Sequence, residues 1–390
     1  MEQFTYFMPT KLFFGTGALD KLGEEPLPGK KALIVISAGT SMRKYGYLER
    51  VQKLLEKNGA GYEVFDKILA NPVKSHVMEG AALAKQTGCD FVIGLGGGSS
   101  IDSAKAIAVM AVNDGDYWDY IDGGSGKNQP LKKHPLPIVA ITTTAGTGTE
   151  ADPWSVITKE ETGEKIGFGS DMTYPVFSII DPDLMESVPS HLTAYQGFDA
   201  LFHSTEGYIA NNVTPISDMF AIKAIELIGA YLPRAVKDGK DKEARAMVAL
   251  ANTLSGFVEC MSGCTSEHSL EHALSGFHPN VPHGAGLIAI SLPYYKMFVN
   301  HDACPDRFVA MAKALGKAGA SKASDFVDRL AELEKACGVD DIKLSEYGVK
   351  KEEARKIALH ALDTMGGLFQ KDRYQMSEEE ITSIMEDAHK

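Results

Sequence analysis

No run in this chain approaches the ~18 consecutive apolar residues needed to cross a bilayer, so a membrane span is excluded as a reading. Basic charge is short: Lys and Arg number 39 against 52 Asp and Glu, a formal net charge of −13. That balance disfavours nucleic acid, which needs a basic face. Cysteine is scarce and odd in number, at five. Cys260 and Cys264 stand four apart, which is not a zinc-knuckle spacing. Reduced, mostly buried thiols are the expectation. The first residues, "MEQFTYFMPTKLFFG", carry an early Glu and no basic segment before an apolar one. They do not read as a signal peptide, and a cytoplasmic location is expected.

What is present fits a globular protein of two or three domains: 390 residues, 44% hydrophobic and 23% charged. The two halves follow different patterns. Up to about Asp181, short apolar runs alternate with helical patterns. Lys31–Ala38, Asp90–Gly97, Leu136–Thr144 and Val176–Asp181 read as buried strands. Gly46–Asn58, Lys74–Thr87 and Ser99–Val112 read as the helices between them. Such alternation predicts an α/β domain with a Rossmann-like parallel sheet over residues 1–181. Residues 182–390 show helical spacing only, beginning with Thr214 as a helix cap before Pro215. They predict an all-α domain, and a cleft between the two domains is the expected place for a cofactor.

Two segments in the first half suggest ligand contact. "GLGGGSSIDSAKAIAV" follows a strand and opens a helix. Its glycines let the backbone approach a ligand, and the helix start offers N–H groups to a pyrophosphate. Ser99 or Ser100 is placed to cap that helix or to donate to phosphate. "ITTTAGTGTEAD" presents Thr142, Thr143, Thr147 and Thr149 to a polar ligand.

In the second half, Asp199 and His203 are spaced i, i+4, as are His268 and His272, so each pair shares one helix face. His278 and His283 follow closely. One carboxylate and three imidazoles suit Fe²⁺ or Zn²⁺. The stretch His268-Ser-Leu-Glu271-His272 also fits the H-x-x-E-H pattern of inverted zinc peptidases. In that rival reading Glu271 activates water. A surface or helix-pairing Glu is expected instead, because the peptidase reading leaves the glycine loop and the Asp199/His203 pair unexplained.

Together "GGGSSIDSAK", "TTTAGTGTE", "IIDPDL", "GFDALFHSTE" and "HSLEHALSGFHPNVPHG" resemble the iron-containing (group III) alcohol dehydrogenase family over essentially the whole length. The resemblance implies a dinucleotide-binding domain (1–181) and a metal-binding domain (182–390). It implies Asp199, His203, His268 and His283 as metal ligands, holding Fe²⁺ or alternatively Zn²⁺. It implies His272 on the proton path. It implies the pyrophosphate at Gly96, Gly97, Gly98, Ser99 and Ser100. The nicotinamide side falls near Thr142, Thr143, Thr147, Thr149 and Lys165, and Asn71 near the adenosine ribose. Trp154, where many members carry smaller or polar residues, is expected in the substrate pocket. His278 matches no ligand position.

The implied reaction is hydride transfer between NAD(P)H and a small aldehyde or alcohol, in a homodimer. Zinc glycerol dehydrogenases share the architecture and remain the nearer alternative. After the first long strand, Gly39, Thr40 and Ser41 offer no acid for a ribose 2′-OH, and Arg43 and Lys44 follow. This leans towards NADP(H) over NAD(H).

Overall fold

A computed structural model describes residues 3–389. It divides into two compact units. Among the described residues, one contains Phe7–Thr144 and Thr149–Ser187; the other contains residues 3–6, Ala145–Gly148 and residues 188–389. Among the described residues no helix is long and apolar enough to cross a membrane.

The first unit is α/β. Its strands are β1 (Lys11–Phe14), β2 (Lys31–Ser37), β3 (Gly61–Ile68), β4 (Phe91–Gly96), β5 (Ile138–Thr142), β6 (Ser155–Lys159), β7 (Glu164–Phe168) and β8 (Phe177–Ile180). Six form one parallel sheet in the order β1-β8-β5-β4-β2-β3. β6 and β7 form a separate antiparallel pair. The four apolar runs expected as strands are β2, β4, β5 and β8. They read clearly because they are buried on both faces; β4 and β5 are buried along their whole length.

Helices Tyr47–Lys57, Lys74–Thr87 and Gly98–Met110 make the crossovers. The last is buried almost all round, as an apolar helix inside a layered domain must be. Sequence patterning passes over β1, β3 and the hairpin. β1 and β3 are the edges of the sheet, and β3 carries Glu63, Asp66 and Lys67. Charged edges resist further pairing and erase the apolar signal.

From β2 the chain goes out to β3, then returns to β4 on the other side of β2. The strand order therefore reverses between β2 and β4. Open α/β sheets bind ligands at such a switch point, outside the carboxyl ends of the strands. Here those ends carry Gly39–Ser41 and Gly96–Ser100.

The second unit is helical. Thr214 Oγ1 accepts from Ser217 N at 3.1 Å and caps the helix Pro215–Lys237, with Pro215 at its first position. The rings of Phe202, Tyr295, Phe308 and Phe326 are all fully buried. Tyr295 lies 5.1–6.3 Å, centroid to centroid, from each of the other three. Edge-to-face and tilted pairs at this spacing add to the burial term. They lock the helix Ser190–Ile209 against the helix His283–Asn300. Both of these helices carry candidate metal donors.

Candidate functional site

In the helical unit, Asp199, His203 and Glu206 project from one face of the helix Ser190–Ile209. His268, Glu271 and His272 share a face of the helix Ser266–Phe277. His283 is the first residue of its helix, preceded by Pro282 as N-cap. Asp199 Oδ1 is the point where these elements converge. It lies 3.5 Å from His203 Nδ1, 3.6 Å from His268 Nε2 and 3.4 Å from His283 Nε2. Asp199 is 4% exposed, and neither its Oδ1 nor His268 Nε2 makes a hydrogen bond. Burial pushes the Asp199 carboxyl up, but His203, His283 and His268 hold it well below the usual carboxylate range. Burial and the neighbouring His268 push His203 down to about 3, so it is a neutral imidazole at working pH. An ionised Asp199 Oδ1 and a His268 Nε2, both buried without a hydrogen bond beside a neutral His203, fit a divalent cation.

The donor atoms of Asp199, His268 and His283 lie within 4.8 Å of one another. His203 comes into the same range with His268 and Cys264. Its Nδ1 is 3.2 Å from Gly146 O. Gly146 has no room for a side chain, since a Cβ there would stand 2.9 Å from Asp199 Oδ2. The "AGTG" half of the threonine-rich motif, including Thr147, is thus part of the helical unit.

Behind the imidazoles stand two carboxylates. Glu206 takes His268 Nδ1, and Glu271 takes His283 Nδ1; both glutamates are fully buried. Glu206 Oε2 also accepts from Thr265 N at 2.8 Å and Thr265 Oγ1 at 3.0 Å. A carboxylate on Nδ1 fixes the tautomer and aims Nε2 at the centre. This corrects the expectation of a surface Glu271. It also removes the peptidase geometry, because Glu271 is committed to His283. Glu206 was passed over in the sequence, although its i+7 spacing from Asp199 was the available signal. His272 is buried beside this set, its ring 6.2 Å from that of His268 and 5.5 Å from that of His283. Its Nδ1 meets Met365 Sδ at 3.1 Å. His278 pairs with Glu353 at 3.3 Å.

In the α/β unit, Gly96–Ser100 link β4 to the helix Gly98–Met110. Gly96 adopts φ +149, and a Cβ there would meet Ser100 Oγ at 2.6 Å. Gly97 is the N-cap and no side chain caps the helix. Ser99 Oγ donates to Ala70 O instead of capping. No side chain competes for the first N–H groups of the helix, although Ser100 N donates to Gly97 O at 3.0 Å, and such a start fits a pyrophosphate. Thr142 Oγ1 donates to Thr144 O at 2.9 Å, and Thr143 N to Gly96 O at 2.8 Å. Lys165 Nζ donates to Asn71 Oδ1 at 3.2 Å, both residues being buried.

Thr149 is engaged elsewhere. Its Oγ1 donates to Asp102 Oδ1 at 2.7 Å and accepts from Lys105 Nζ at 2.7 Å. Lys105, fully buried, also reaches Asp152 Oδ1 at 3.0 Å and Trp154 O at 2.7 Å. Trp154 itself is 38% exposed. Gly39 is exposed, and a side chain there would meet only Ser37 Oγ, at 3.6 Å. Arg43 pairs with Asp66 at 2.6 Å on the surface.

Comparison with known proteins gives a consistent result. The family model for iron-containing alcohol dehydrogenase matches residues 9–182. That for the C-terminal part of the Fe-containing alcohol dehydrogenase family matches residues 193–389. The chain is 36% identical to the NAD-dependent methanol dehydrogenase of Bacillus methanolicus, over 92% of this chain and 93% of that one. It is 34% identical to the 1,3-propanediol dehydrogenase of Klebsiella pneumoniae, over 99% of each. Among solved structures, an archaeal halo-thermophilic Red Sea brine pool alcohol dehydrogenase superposes with a TM-score of 0.94. Its sequence identity is 35%, over 100% of this chain and 99% of that one.

Proposed function

The chain belongs to the iron-containing alcohol dehydrogenase family, and on that premise we propose that it interconverts a small aldehyde and its primary alcohol, using NAD(P)(H) and a divalent metal. It is an alcohol dehydrogenase; the substrate class, cofactor form and residue roles are the proposal. The observation that carries it is Asp199 Oδ1, buried without a hydrogen bond and faced by three imidazoles. A bound Fe²⁺ or Zn²⁺ supplies Lewis acidity toward the substrate oxygen, and the nicotinamide carries the hydride.

Asp199, His203, His268 and His283 hold the metal. Glu206 and Glu271 keep two of those imidazoles aimed. His272 moves the alcohol proton, a task suited to an imidazole. Gly96–Ser100 receive the pyrophosphate at the switch point of the sheet. Lys165 and Asn71 form a polar pair for the nucleotide, with Thr142 and Thr143 at the neighbouring strand end. Trp154 lines the substrate pocket. The methanol and 1,3-propanediol relatives, both named for primary alcohols, support the substrate class.

NADP(H), or use of both cofactors, is the preferred reading. Gly39 has open space for an acid and carries none, so a 2′-phosphate meets no carboxylate there. Arg43 is the nearby cation in the sequence, and Asp66 shares its charge.

The test is a panel of small aldehydes with NADH and NADPH, run on protein loaded anaerobically with Fe²⁺ or Zn²⁺. NAD(P)H oxidation that disappears on chelation and returns with metal is expected. Full activity in metal-free protein, or none with any aldehyde, would overturn the reading.

A further inference from the structure

Cys264 lies one helical turn before His268, on the short link between the helices Lys242–Met261 and Ser266–Phe277. It is half-buried and in no disulfide. Its Sγ and one ring nitrogen from each of His203 and His268 all lie within 4.8 Å of one another. Ligands on one tetrahedral zinc stand about 3.5 Å apart, so side-chain rotations on the order of an ångström close this set. His268 has Nδ1 on Glu206, which leaves the buried Nε2, 3.6 Å from Asp199 Oδ1, as the nitrogen that the two donor sets share. His203 has Nδ1 against Gly146 O at 3.2 Å, and its Nε2 lies 3.6 Å from Glu259 Oε1, a carboxylate at the edge of the set.

We infer that His203, Cys264 and His268 form a thiophilic metal site that overlaps the Asp199 centre and takes Zn²⁺ or Cd²⁺ in preference to Fe²⁺. The inference rests on the reading of that centre as a metal site. The chemistry separates two donor sets. Asp199, His268 and His283 offer one oxygen and two nitrogens. His203, Cys264 and His268 offer one sulfur and two nitrogens, and thiolate favours the softer ions. Binding forms an S–metal bond and releases the thiol proton to solvent. His268 belongs to both sets and His203 borders both. An ion on the sulfur side therefore withdraws imidazoles from Asp199, and the two occupancies compete.

The experiment titrates metal-free protein with Cd²⁺ and follows the near-ultraviolet thiolate-to-cadmium charge-transfer band. Protection of each cysteine from alkylation is read in parallel by peptide mass. Wild type is expected to show the band and protection of Cys264. Cys264→Ser and Cys264→Ala are expected to lose the band, and their Zn²⁺-to-Fe²⁺ affinity ratio to fall by at least about tenfold. Cys260→Ser, outside the set, keeps the band. The alkylation readout on wild type decides the matter even if a Cys264 variant fails to fold. An unprotected Cys264 in cadmium-loaded wild type, or a band that survives in folded Cys264→Ser, overturns the site. If iron-dependent NAD(P)H oxidation is present while Cys264 stays unprotected, this site fails and the proposed function stands. If no divalent ion binds at all, both fail.

Discussion

At the scale of single residues, the candidate centre depends as much on what holds the imidazoles as on the imidazoles themselves. Glu206 and Glu271 have no exposure and are each bound to a histidine Nδ1. Glu206→Gln and Glu271→Gln remove the charge while keeping the volume. Metal affinity should fall about 10- to 100-fold in each, the size usual for such supporting groups. Metal retention during dialysis against a graded chelator measures it; retention equal to wild type would remove the orienting role. His272 poses a different question, because it sits beside the set without meeting Asp199 in it. His272→Ala should keep metal content and lower turnover by roughly 10²- to 10⁴-fold, with the loss varying across pH 5–8. Undiminished turnover at every pH would take His272 off the proton path. Both glutamates lie inside motifs visible in the sequence, but a Glu in a motif does not reveal its burial.

At the scale of elements, the helix Gly98–Met110 does more than start at the glycine loop. Its Lys105 ties down the segment Thr149–Trp154 through Thr149 O at 2.7 Å, Asp152 O at 2.8 Å and Trp154 O at 2.7 Å. Asp102, one turn earlier, accepts from Val156 N at 2.9 Å, and burial pushes its carboxyl up to about 6. The helix thus anchors the stretch that carries Trp154. Lys105→Met would leave Asp152 and several carbonyls buried without their donor. A loss of about 3–5 kcal/mol is expected, the cost of breaking a buried ion pair from one side. Denaturant unfolding measures it, and a loss under about 1 kcal/mol would show that the network is not what holds the segment. Strands were legible where both faces are buried, as in β4 and β5. They were not where one side faces water, as in β3, because alternation mixed with charge carries no unbroken apolar run.

At the scale of the whole molecule, pH acts on stability through carboxyls that folding buries. Asp372 follows the helix Ala354–Phe369 and accepts from Ser266 N at 3.3 Å and Tyr294 Oη at 3.2 Å. Burial pushes it up to about 7, against about 3.9 in an unfolded chain. Between those values the native state holds more protons than the unfolded one. Its contribution is therefore complete below about pH 4 and lost as pH rises through about 7. From pH 4 to pH 7 the unfolding free energy of wild type should fall by roughly 3 kcal/mol relative to that of Asp372→Asn. A difference that stays flat over that range would contradict it.

Fold class and the kinds of donor were readable from the sequence because both are local matters. Apolar runs mark strands buried on two faces, and i, i+4 spacing puts Asp199 with His203 and His268 with His272 whatever surrounds them. The tertiary structure alone decided that Asp199 Oδ1 meets His268 and His283 from about seventy and about eighty-five residues away. It alone decided that Glu206 and Glu271 stand behind them, that Asp66 engages Arg43, and that Cys264 faces the same imidazoles. Those pairings depend on how helices lock through buried rings such as Phe202 and Tyr295, and packing between distant segments leaves no periodic trace in the chain.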